Sequence, residues 1–211
     1  MAQDQLTEIL QALQGIHPAL EVIPFGSHQK GLRLGTREAR IGWIPSRASF
    51  FGEFWSKDVL SGKLLTQSSE VAAQTLQAWL LSESNLSEMN RLHTEFIPTE
   101  AGIEFERNSL QGLRELRWSR LAEITPPTMK DFVARALAQP QLRSTYPIFS
   151  LDELVLLWTP GSSGKIASVR RTDSDGYAVQ DLKGKKSLGI GDAQWAITEL
   201  SILVSQSRPS D

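Results

Sequence analysis

The chain carries three imidazoles, His17, His28 and His93, and no thiol. No two of the histidines stand four apart, the spacing that sets two ligands on one helix face, so no metal site is expected. The lack of cysteine removes thiolate nucleophiles, disulfides, iron–sulfur clusters and cysteine zinc sites. Glu104 and Glu106 alternate in a short run that reads as a strand, which would turn both carboxylates to one side. Arg107, Arg114 and Arg117 follow closely. Two carboxylates can divide acid and base roles when burial or a neighbour separates their pKa values. Convergence of these two with Arg114, and with His28 in the polar turn GSHQKG, in one deep pocket would favour an enzyme. The competing reading is an ion-paired surface.

Other possible chemistry reads as backbone. Gly161-Ser162-Ser163-Gly164 is a flexible turn and not a nucleophile elbow. Gly184-Lys185-Lys186-Ser187 ends like a phosphate loop but lacks its spaced glycine start. Residues 188–192, at the entry to the last helix, would offer free N–H groups to an anion, but Asp192 already supplies negative charge there. No catalytic residue, metal or cofactor is therefore assigned.

Two groups suit binding. Phe50, Phe51, Phe54 and Trp55 fall within six residues. They read either as a core plug beneath a loop or short helix, or as anchors for a protein partner, since aromatics dominate interface hot spots. Arg170, Arg171, Lys183, Lys185 and Lys186, with Tyr177, lie on or beside a predicted hairpin. If its strands pair, several of these share a surface that would steer an acidic partner, diluted by Asp173, Asp175 and Asp181. Lysines on a strand edge also simply discourage aggregation. Nucleic acid is not expected: the net charge is −2, and Tyr177 is the one stacking residue among the cations. No apolar run reaches the length of a membrane span, and the first residues lack a leader pattern, so a cytoplasmic protein is expected.

These residues need elements to hold them. Leu6, Ile9, Leu10 and Leu13 share a helical face over residues 3–14. Strands are predicted at 20–25, 31–34, 38–44 and 62–66. Ser68 or Ser69 then caps a helix whose inner face is Ala72, Leu76, Trp79 and Leu80. Residues 85–93 read as a further helix. Asn108 or Ser109 caps another, running to residue 123, and Pro126-Pro127 breaks it. A last connector helix begins at Thr128 and closes at Pro140. Apolar runs at 153–158, 165–171 and 177–182 read as three strands. A helix beginning near Asp192 covers them with Ala193, Ala196, Ile197, Leu200, Leu203 and Val204.

The carboxy-terminal half resembles an uncharacterised bacterial family loosely annotated with natural-product biosynthesis. The matching positions are Leu142, Arg143, Tyr146 and Pro147, then Asp175, Gly176 and Tyr177, then Leu188, Gly189, Asp192 and Ala193, with Trp118 in the middle helix. The chain lacks the Ser-x-Trp/Phe-x-Leu wording and the cysteine of that family. The resemblance implies a shared fold over about the last hundred residues. It brings no catalytic set.

The predicted fold class is α+β: two small antiparallel sheet-plus-helix modules joined by a helical connector. Residues 1–81 form the first module, 82–140 the connector, 141–205 the second module and 206–211 a flexible tail. A diverged internal repeat is one reading of the pair, since a shift of 121 lays Ala72, Leu76 and Trp79 on Ala193, Ile197 and Leu200. The expected function is non-catalytic protein binding, as an adaptor, immunity-type inhibitor or pathway accessory. The alternative is an enzyme or small-ligand protein of a biosynthetic pathway.

Overall fold

The computed structural model describes residues 2–25, 29–82, 84–150, 152–161 and 164–207. The fold class is α+β, with two antiparallel sheets. The chain divides into two compact units, residues 1–108 and 109–211.

The first unit opens with α1 (Ala2–Ile16) and runs through β1 (Glu21–Phe25), β2 (Gln29–Leu34), β3 (Arg37–Ile44), β4 (Ser49–Ser56) and β5 (Val59–Thr66). Then come α2 (Ser69–Leu80), α3 (Leu86–Leu92), β6 (Phe96–Pro98) and α4 (Glu100–Glu106). The sheet order is β1-β2-β3-β4-β5-β6, each strand antiparallel to the next. Strand alternation sends Leu32, Ala39, Ile41, Phe50, Phe54 and Leu64 to one face, where they form a single core with α1 and α2. Each later helix begins on a side-chain cap. Ser68 accepts from Val71 N–H at 3.2 Å, and Thr99 from Gly102 N–H at 3.0 Å. Asn85 and Glu88 form a reciprocal capping box. Gly62 is required by packing, because a Cβ there would meet the Phe96 ring at 2.1 Å.

The second unit begins with three helices: α5 (Leu110–Ile124), α6 (Pro127–Leu137) and the single turn α7 (Pro140–Arg143). The meander β7 (Tyr146–Ser150), β8 (Glu153–Leu157), β9 (Lys165–Arg171), β10 (Tyr177–Asp181) and β11 (Lys186–Gly191) follows, and α8 (Ala193–Gln206) closes it. Its order is β11-β10-β9-β8-β7. Asp192 caps α8 by accepting from Trp195 N–H at 2.8 Å. The core joins Trp118 and Leu121 of α5 and Phe132 of α6 to Leu154, Val169 and Val179 of the sheet and Leu200 of α8.

Several expectations are corrected. Residues 103–107 are not a strand; they lie in and just after α4, started by the Thr99 cap. Five residues are too few for alternation to be told from helical spacing, and on a helix Glu104 and Glu106 face different ways. The connector expected at 82–140 is divided: α3, β6 and α4 belong to the first unit, and α5, α6 and α7 to the second. Pro140 starts α7, as its fixed φ allows at a first helical position, after α6 has ended at Leu137. The second sheet has five strands, with β7 and β11 added to the three expected. Of the tail at 206–211, Gln206 ends α8 and Ser207 caps it, while 208–211 lie outside the described residues.

Candidate functional site

The aromatic run is not a plug under a loop or short helix. It is β4, and the strand divides it. Phe50 and Phe54 are buried in the core, where Phe54 meets Trp79 and Phe96 edge-on at 6.0 and 5.3 Å. As partner anchors these two are withdrawn: period-two alternation turns them under α2. Phe51 and Trp55 are half-buried on the face turned away from that core.

The register lays that outer face out in rows across the strands. One row is Gly42, Phe51 and Leu65; the next is Arg40, Glu53, Lys63 and Ile97; the third is Arg33, Glu38, Trp55 and Leu60. Leu65 is 48% exposed and Ile97 66%. Apolar side chains thus alternate with charges along a half-wet surface. The Arg40 guanidinium sits over the Trp55 ring, 4.7 Å from its centroid. The Trp55 Nε1–H is buried without an acceptor among the described residues. Leu60, Leu65 and Ile97 were not singled out in the sequence; the β4–β5–β6 pairing, once drawn, is the signal that finds them.

Glu38 fixes this face. It accepts from Arg33 Nη2 and from Arg40 Nε, each at 2.8 Å. Burial pushes its carboxyl up, but the two guanidinium bonds outweigh burial and hold it below the ordinary glutamate value. A depressed carboxyl contributes stability that is fully present above the unfolded value of about 4.3 and is lost as pH falls through the folded one. Denaturant midpoints should therefore drop as pH is lowered below about 4, and Glu38→Gln should flatten that part of the curve. An unchanged acid slope in the Gln variant would refute the assignment.

The residues proposed for a pocket have separate local partners within their own units. Glu104 pairs with Arg107 at 3.2 Å. Glu106 accepts the Leu86 N–H at 2.7 Å, steadying the first turn of α3. It also lines a cleft of about 630 Å³ in the first unit with His17, Arg37, Lys57 and Trp79. Arg37 is a brace in that cleft: it donates to the Trp79 and Ser84 carbonyls at 2.7 and 3.0 Å and lies over the Trp79 ring. Arg114 belongs to the second unit, where it donates to the Trp158 carbonyl at 2.9 Å. Burial lowers the Arg114 guanidinium from its ordinary value. His28 lies outside the described residues. Burial likewise lowers His93, which follows α3. Among the described residues no three His, Asp or Glu side chains group to hold a metal ion.

The basic set separates into two ends. Arg170 and Arg171 stand opposite Ala178 and Tyr177, while Lys183, Lys185 and Lys186 cluster at the turn beyond Asp181. Four strand positions, about 13 Å, lie between the ends of β10. The set therefore divides into an arginine end and a lysine end. Arg171 is tied to the Thr128 carbonyl at 2.8 Å and to Asp175 at 2.5 Å. Tyr177 stacks on Phe132 with ring centroids 4.6 Å apart. The three lysines are exposed.

No protein-family model, curated protein or solved structure matches the chain. Among the described residues no helix is long and apolar enough to cross a membrane.

Proposed function

We propose that the protein is a non-catalytic binding module that docks a protein partner on the outer face of its six-stranded sheet. The observation that carries this reading is the placement of Phe51 and Trp55, half-buried, beside exposed Leu65 and Ile97 on one face. Such a surface has the composition of an interface: aromatic anchors, an arginine against a ring, and charges that set register. The Arg33–Glu38–Arg40 network holds the Trp55 side in place before a partner arrives, which lowers the ordering cost of binding. An adaptor, an immunity-type inhibitor and a pathway accessory all fit this module. The cytoplasm, a bacterial source, membership of the family resembled by residues 142–193, and descent of the two units from one duplicated module belong to the same proposal.

The test is affinity capture from the native cell with wild-type bait and with a Phe51→Ala, Trp55→Ala bait. A stoichiometric protein should be retained by the first and lost by the second, since each anchor of this kind contributes about 2 kcal/mol or more. Near-UV circular dichroism must show the variant folded. A partner held equally by both baits would reject this face.

A second reading is a small-ligand or enzyme site in the first-unit cleft. His17 favours it, because its Nδ1 is buried with no partner among the described residues and the residue lines the cleft. A metabolite carried through native mass spectrometry, with no protein partner captured, would move the assignment there.

A further inference from the structure

We propose that the free edge of β11 takes an extended acidic segment of a partner protein by strand addition. This rests on the protein-binding reading and adds a second, chemically specified surface to it. β11 ends its sheet, so among the described residues one side of its backbone has no strand beside it. An extended peptide gains affinity there from main-chain hydrogen bonds and selectivity from its side chains.

The other edges are less suited. At β7 the Pro147 position has no N–H, and its carbonyl accepts from Arg117 Nε at 3.1 Å. β6 is three residues long, and β1 contains Pro24. β11 has no proline and is firmly backed, and its one irregularity is a bulge at Leu188, beside Gly189 at φ 128°. The Trp195 ring lies so close that a Cβ on Gly191 would meet it at 2.4 Å. Ile190 is 63% exposed on the strand and offers an apolar contact.

Charge selects the occupant. Lys183, Lys185 and Lys186 are exposed at the start of β11. None of the three is in an ion pair among the described residues. Asp181, which stands opposite Lys186, is engaged by the Lys183 and Gly184 N–H groups at 3.0 and 2.8 Å. The lysines that repel a like-charged edge attract an acidic one. The ladder shifts by one residue within β11, so Lys186 and Ile190 stand opposite Asp181 and Ala178, three positions apart on β10. The peptide therefore carries acidic residues at one end and an apolar residue about three positions away.

The test uses the full chain and three fluorescein-labelled probes: a peptide of alternating Val and Thr ending in three Asp, its counterpart ending in three Lys, and oligothymidine. Anisotropy should show binding of the Asp peptide, and amide exchange should show new protection in β11. K183E/K185E/K186E should weaken the Asp peptide at least about tenfold and favour the Lys peptide. Absence of Asp-peptide binding, indifference to the charge reversal, binding without β11 protection, or tighter binding of oligothymidine would each overturn the proposal. If the triple variant does not fold, β11 protection in the wild type decides. The Phe51→Ala, Trp55→Ala variant should bind the Asp peptide normally, so failure at β11 is separable from failure of the sheet-face reading.

Discussion

Phe54→Ala should destabilise the first unit by about 3–5 kcal/mol, the range for emptying a fully buried aromatic position. Phe54 has no exposed surface and lies between the rings of Trp79 and Phe96. Its removal takes away the transfer term, leaves a cavity, and deprives two edge-on aromatic contacts of their partner. Trp79 is also held by Arg37 and by its own bond to the Glu38 carbonyl at 3.2 Å, so it is poorly free to collapse into the space. The measurement is the urea midpoint at constant m, with amide exchange locating the loss in β3, β4 and β5. Trp55→Ala, one position along, should cost far less. Equal losses at the two positions would mean that β4 does not present them to opposite faces.

Trp118→Ala should have a comparable effect in the second unit, again about 3–5 kcal/mol. Trp118 is 1% exposed, and its Nε1–H donates to the Thr145 carbonyl at 3.1 Å. That bond ties α5 to the entry of β7, beside Arg117 on the Pro147 carbonyl. Trp118→Phe separates the two contributions. It keeps much of the apolar volume but leaves a buried carbonyl without its donor, a loss of about 1–3 kcal/mol. Urea midpoints should fall in the order wild type, Phe, Ala, with exchange quickened in β7 and β8. A Phe variant as stable as the wild type would remove the hydrogen bond from this account.

The sequence carried the helices well because their ends are written in single residues. Ser68, Ser109 and Asp192 cap the helices they precede, and the inner faces Ala72–Leu76–Trp79 and Ala196–Ile197–Leu200 are buried as their spacing demands. It carried short elements poorly. The run at 103–107 has the same residues whether alternation or a helical turn arranges them, and the deciding signal is Thr99 four residues before it. β11 was concealed by its glycines, which lower strand propensity yet are needed where Trp195 lies against the backbone. The aromatic run was visible as a group, but its division between core and outer face needs the register of β4 with β3 and β5. The outer face itself was out of reach for the same reason. Leu65 and Ile97 are ordinary residues until pairing brings them beside Phe51 and Lys63.

Neighbour-to-neighbour strand pairing also bears on how quickly the chain reaches this state. In the second sheet every strand finds its partner one turn away, so each closure spans few residues and its entropic cost is small. The first sheet breaks that habit once, where β6 returns to β5 only after α2 and α3 have intervened. Docking of β6, with the Phe96 ring settling over Gly62, is thereby the longest closure in its sheet. A substitution confined to that strand should hasten unfolding while leaving the refolding rate of β1 to β5 nearly unchanged.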